Sequence, residues 1–133
     1  MRRVPSMVVC GALAMLPLPG CFFVAATAVG AAAGGAVLYE NNEAWMDFKD
    51  TLDVTWGASL RAAEQLGYRV VGKPRPDVAD GRIELEGGRL TLEVHPGGYV
   101  RVRARIGNWD TYENERRAKA LLMGVLAQMP PPK

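Results

Sequence analysis

Residues 4–39 contain no Lys, Arg, Asp or Glu. Charge returns at Glu40, and from there the pattern is that of a globular domain. This boundary divides the chain more sharply than its composition does. At 133 residues there is room for one domain with an appendage. A composition 23% charged and 49% hydrophobic excludes bulk disorder, a collagen-like chain and a disulfide-framework protein. The formal net charge is +2, and Arg2 and Arg3 account for it, so the remainder of the chain is neutral.

The start of the chain reads as an export signal. Arg2 and Arg3 form a positive n-region, and residues 7–16 (MVVCGALAML) form an uncharged apolar run of ten. That run is shorter than the roughly 20 residues a membrane span needs. Pro17 and Pro19 then break any helix. The next residues, Leu18-Pro19-Gly20-Cys21, resemble a bacterial lipobox, although Pro19 stands where Ala, Ser or Thr is commoner. The resemblance implies cleavage before Cys21, whose thiol would carry a thioether-linked diacylglycerol and anchor the protein in a membrane. Cys10 would be discarded with residues 1–20, the lipidated Cys21 would stand alone, and no intramolecular disulfide would form. A competing small-x-small site at Ala26-Thr27-Ala28 would instead release a soluble periplasmic protein.

Residues 21–44 are expected to form a Gly/Ala-rich tether. Within them, residues 22–38 include seven Ala and three Gly and no charge. As a helix this stretch rises about 25 Å, short of a ~30 Å hydrocarbon core. Ala and Gly also drive insertion weakly. Gly30 and Gly34 form a small-xxx-small pair that would let helices pack closely in a membrane, which leaves open a membrane-associated oligomer.

Residues 45–129 read as the folded domain, with a tail at 130–133. Met46, Phe48 and Leu52 share one parity and mark a first strand. Asp53 is placed to cap a helix through Val54, Trp56, Leu60 and Leu66, with Gly67 as its C-terminal stop and Tyr68 folding back. A second strand is expected over residues 68–73, a third around Ile83 and Leu85, and a fourth through Leu90, Leu92 and Val94. Gly87-Gly88 reads as the hairpin turn between the last two. After the turn at residues 95–98, Val100, Val102, Ala104 and Ile106 alternate with Arg101, Arg103 and Arg105 in the clearest half-buried strand of the chain. Asp110-Thr111-Tyr112-Glu113 resembles a capping box with Asp110 as cap. The helix that follows carries Ala118, Leu121, Leu122, Val125 and Met129 on one stripe. The order β-α-β-β-β-β-α predicts an α+β two-layer sandwich with an antiparallel sheet of about five strands and two helices.

Taken in order, the lipobox, the Gly/Ala tract ending near Tyr39, the Trp56 helix closing on Leu66-Gly67-Tyr68, the hairpins, Ile106-Gly107 and the terminal amphipathic helix resemble an uncharacterised family of small Gram-negative bacterial lipoproteins, a domain of unknown function. The resemblance covers Cys21 to about Met129 and implies an envelope lipoprotein with an α+β domain. It supplies no catalytic residues. Phe22 stands where an Asp would resemble an inner-membrane retention signal, which directs expectation to the periplasmic face of the outer membrane, with an inner-membrane anchor as the alternative.

Little in the sequence points to catalysis. His95 is the one histidine and sits in a turn, without further ligands at metal-binding spacing. Glu84, Glu86 and Glu93 lie on the solvent parity of their strands, and no phosphate-binding motif or other cofactor motif is present. The sharpest surface feature is the row Arg101, Arg103, Arg105, with ~6.8 Å between alternate residues. Such a row either meets lipid phosphates, lipopolysaccharide or another acidic partner, or pairs across strands with Glu93, Glu84 and Glu86. The expectation is a lipid-anchored, non-catalytic binding or structural module of the envelope, with a protein or glycan partner and no nucleic acid. An enzyme acting on an anionic envelope substrate through the Arg row is the third reading, after the oligomer.

Overall fold

The computed structural model describes residues 36–73 and 76–131. The expected signal segment, Cys21, the alternative cleavage position expected at Ala26-Thr27-Ala28, Gly30 and Gly34 lie outside the described residues. Strands β1 (Leu38–Glu40), β2 (Glu43–Phe48), β3 (Val70–Gly72), β4 (Asp80–Leu85), β5 (Gly88–His95) and β6 (Tyr99–Ile106) form one sheet. Helix α1 (Leu52–Gln65) follows β2, and α2 (Tyr112–Gln128) follows β6. All strand pairs are antiparallel, in the spatial order β1-β2-β6-β5-β4-β3. Both helices cover one face, so the fold is the expected α+β sandwich with six strands rather than five.

The added strand is β1. Asn41 and Asn42 both take positive φ, 51° and 63°, and make a two-residue turn that folds Leu38–Glu40 back on β2. Asparagine tolerates this left-handed region better than most residues. The sheet thus begins at Leu38, inside the segment assigned to the tether, and the boundary expected at residue 45 falls within β2.

Period-two alternation places Ala44, Met46 and Phe48 of β2 and Val100, Val102, Ala104 and Ile106 of β6 under the helices. Leu90 and Leu92 of β5 and Ile83 of β4 continue that layer. β2 stops at Phe48. The Asp50 carboxylate accepts from the Thr51 N–H at 2.8 Å, and Thr51, not Asp53, caps α1 by accepting from the Val54 N–H. Asp53 instead lies in the first turn, where its charge opposes the helix dipole favourably. The buried face of α1 is made of small residues, Thr55, Ala58, Ser59, Ala62 and Ala63. The Thr55 and Ser59 hydroxyls donate to the carbonyls four residues back, at 2.9 and 2.8 Å, so neither is left unpaired. The helix ends as expected. Gly67 takes φ +80°, its N–H donates to the Glu64 carbonyl, and the Tyr68 N–H donates to the Ala63 carbonyl.

One turn and one cap differ from expectation. Leu85 pairs with Gly88, so the β4–β5 turn is Glu86-Gly87 and only Gly87 takes a positive φ, +82°. Gly88 is the first residue of β5, where a Cβ would stand 2.5 Å from the Arg105 carbonyl oxygen. It is glycine for want of space, not for turn geometry. Thr111, not Asp110, caps α2 by accepting from the Asn114 N–H at 3.2 Å. The second strand is shorter than the expected 68–73, because β3 meets β4 through an irregular register between Val70 and Gly72. The α2 stripe is as predicted: Ala118, Leu121, Leu122 and Val125 are fully buried, and Met129 packs partly against them. Among the described residues no helix is long and apolar enough to cross a membrane.

Candidate functional site

The face of the sheet turned away from the helices is where the Arg row lies. Register fixes who stands beside whom. Asp47, Arg101, Glu93 and Asp80 form one cross-strand row. Leu38, Trp45, Arg103, Thr91 and Arg82 form the next. Arg105, Arg89 and Glu84 form a third.

The three arginines of β6 have different surroundings. Arg101 holds Asp47 in a two-pronged contact, Nε to Oδ1 at 2.7 Å and Nη2 to Oδ2 at 2.9 Å. This hydrogen-bonded pairing holds the Asp47 carboxyl below its ordinary pKa, against the opposing effect of partial burial. Arg103 lies between two acids, with Nη1 at 3.8 Å from Glu43 and Nε at 3.6 Å from Glu93. Arg105 has no carboxylate within ion-pair distance among the described residues, and Arg89 stands directly opposite it. Arg89 itself reaches Glu43 at 3.7 Å. A like-charge pair directly across two strands is unfavourable, so the row is satisfied at one end and in excess at the other.

The acids expected to meet this row do so in part. Glu93 meets Arg103, Glu84 pairs along its own strand with Arg82, and Glu86 sits exposed in the β4–β5 turn. Two further partners come from β2, Asp47 with the closest contact of the row and Glu43 at 3.7–3.8 Å from Arg89 and Arg103. Sequence reading missed them because β2 and β6 are far apart in the chain and only the topology makes them neighbours. His95 ends β5 and stacks on Tyr99, with ring centroids 4.8 Å apart and planes 6° from parallel. Its Nε2 and the Arg103 Nε both lack a hydrogen-bond partner, and both face the same Glu93 oxygen, at 3.8 and 3.6 Å.

Chemically this is an ion-paired, partly exposed surface. Asp47 is held by Arg101 toward weaker basicity, opposite to what a general base needs. The groove at Leu66, Gly67, Tyr68, Arg116, Arg117 and Ala120, about 310 Å³, lies at the C-terminal end of α1, away from the Arg row. There Arg117 stacks 5.6 Å from the Tyr68 ring. No group of three His, Cys, Asp or Glu residues is placed to hold a metal ion among the described residues. Trp56 packs partly against the core, as its helix position suggested, and its ring fills the space a Cβ at Gly81 would need.

A family model described as "Protein of unknown function (DUF3568)" matches residues 6–94. The chain belongs to this family. The DUF3568 match runs from the N-terminal segment into β5 and stops at Val94, so β6 with its arginines and α2 lie beyond it. Structurally they are inseparable from it, because β6 pairs with both β2 and β5. No curated protein matches the chain.

Proposed function

We propose that this DUF3568 protein is a lipid-anchored, non-catalytic module of the bacterial envelope, held at the periplasmic face of the outer membrane through Cys21. The observation that carries the reading is the placement of Gly20-Cys21 directly after a ten-residue apolar run and a proline break. The charge-free tract that follows gives the domain reach from the membrane. The open sheet face supplies a binding surface. Its free positive charge sits at Arg105 beside Arg89, and this narrows the contact for an acidic protein or glycan partner within the row Arg101, Arg103, Arg105. Arg101 is committed to Asp47 and contributes mainly to the sheet itself.

Metabolic labelling with radioactive palmitate, comparing wild type with Cys21→Ala, tests the anchor. Label is expected on wild type alone, with a mature N-terminus at Cys21 by mass. Equal label on both proteins, or a mature terminus after Ala28, would sink the lipid anchor and leave a periplasmic domain.

A further inference from the structure

Trp109 and Tyr112 are the most exposed aromatic side chains of the described residues, at 78% and 79%. They flank the start of α2, and the loop that presents them is braced. The Trp109 carbonyl accepts from the Asn114 side chain at 2.9 Å and from the Thr111 N–H at 3.0 Å. Gly107 takes φ +71° and packs so tightly against Asn114 that a Cβ would stand 2.3 Å from its Nδ2. The backbone that presents the two exposed rings is therefore fixed.

The same loop is stitched to the point where the charge-free tract enters the sheet. Between the two rings, Asp110 accepts from the Tyr39 hydroxyl at 2.7 Å, and Tyr39 is the last uncharged residue before Glu40. Two cations of α2 are already paired, Arg116 with Glu113 and Lys119 with Glu115. Trp and Tyr favour the membrane–water interface, where an apolar ring and a polar edge are both accommodated.

We infer that Trp109 and Tyr112 form a bilayer-facing contact that seats the domain on the headgroup region of the membrane to which it is tethered. The inference rests on the lipid-anchor reading and adds an orientation to it. Because the contact is made by aromatic rings, it is apolar and needs no anionic lipid.

The test uses the full mature protein in phosphatidylcholine vesicles whose acyl chains carry bromine near the headgroup end. Bromine quenches tryptophan emission at contact. Trp109→Phe is a surface change and leaves the fold intact. Quenching is expected to be about twofold or more greater in wild type than in Trp109→Phe, and to persist in high salt. Equal quenching in the two proteins would overturn the contact, and loss in high salt would overturn its apolar character. A photocrosslinker at position 112 that joins protein rather than lipid in intact envelopes would overturn the bilayer as occupant. Failure of the anchor is read separately, as unchanged palmitate label in Cys21→Ala. In that case the non-acylated full chain is mixed with the same vesicles, and equal quenching with and without Trp109 overturns the contact there too.

Discussion

The two faces of one sheet are built by the same strands and held by different physics. Beneath the helices, β2, β5 and β6 contribute side chains with essentially no exposure, closed over by the small residues of α1 and the leucines of α2. On the open face the intervening residues of the same strands meet through ion pairs between 2.7 and 3.8 Å, all partly wet. Apolar burial is worth about 25 cal/mol per Å² and needs no particular partner. A half-exposed ion pair is worth about 1 kcal/mol or less and depends on its geometry. The covered face therefore carries most of the stability, and the open face little of it.

That division can be broken most directly from the core. Leu122→Ala should cost about 2–5 kcal/mol, read as a fall in the denaturant midpoint, because Leu122 is fully buried between helix and sheet. A loss no larger than that of an open-face variant would abolish the distinction. Gly88→Ala tests the closest approach of β5 to β6. A Cβ there meets the Arg105 carbonyl oxygen and Ile106, and about 1–3 kcal/mol is expected from overpacking. Thr111→Ala removes the cap of α2 and should cost about 1 kcal/mol.

The open face responds to pH rather than to volume. Asp47 is held below its ordinary pKa by Arg101, so its contribution is present above the unfolded value near 3.9 and fades as pH falls through the lower folded value. The stability gap between wild type and Asp47→Asn should be about 1 kcal/mol or less at neutral pH and should close below about pH 4. A gap that widens in acid would contradict the pairing. Tyr39 behaves oppositely. Burial, aided by its hydrogen bond to Asp110, pushes its hydroxyl up to about 12, so its contribution is full below pH 10 and is lost as pH rises toward 12. Tyr39→Phe should remove that alkaline dependence while costing under about 1 kcal/mol at pH 7. The smallest effect is expected at Arg103→Ala, a few tenths of a kcal/mol, since both its acids stand at 3.6 Å or more.

Where a local rule sufficed, the sequence was legible. The alternation of β6, the α2 stripe and the Gly67 stop of α1 each follow from spacing within one element. β1 was not legible. Three residues at the end of an apolar tract carry no periodicity, and the Asn41-Asn42 turn became informative only with β2 in place. The caps were displaced by one or two residues because Asp and Thr both suit those positions and only the backbone path chooses between them.

The partners of the Arg row show the limit most clearly. Residue spacing alone determined that Arg101, Arg103 and Arg105 share a face, since side chains alternate along any strand. Tertiary structure decided which arginine is bound and which is free. Strand order set β2 against β6, placing Asp47 against Arg101 and Arg89 against Arg105. The charge-free stretch and Cys21 belong wholly to the sequence, because they are patterns of neighbouring residues and need no fold to be read. Long-range pairing depends on how the whole core closes, and no local pattern contains that.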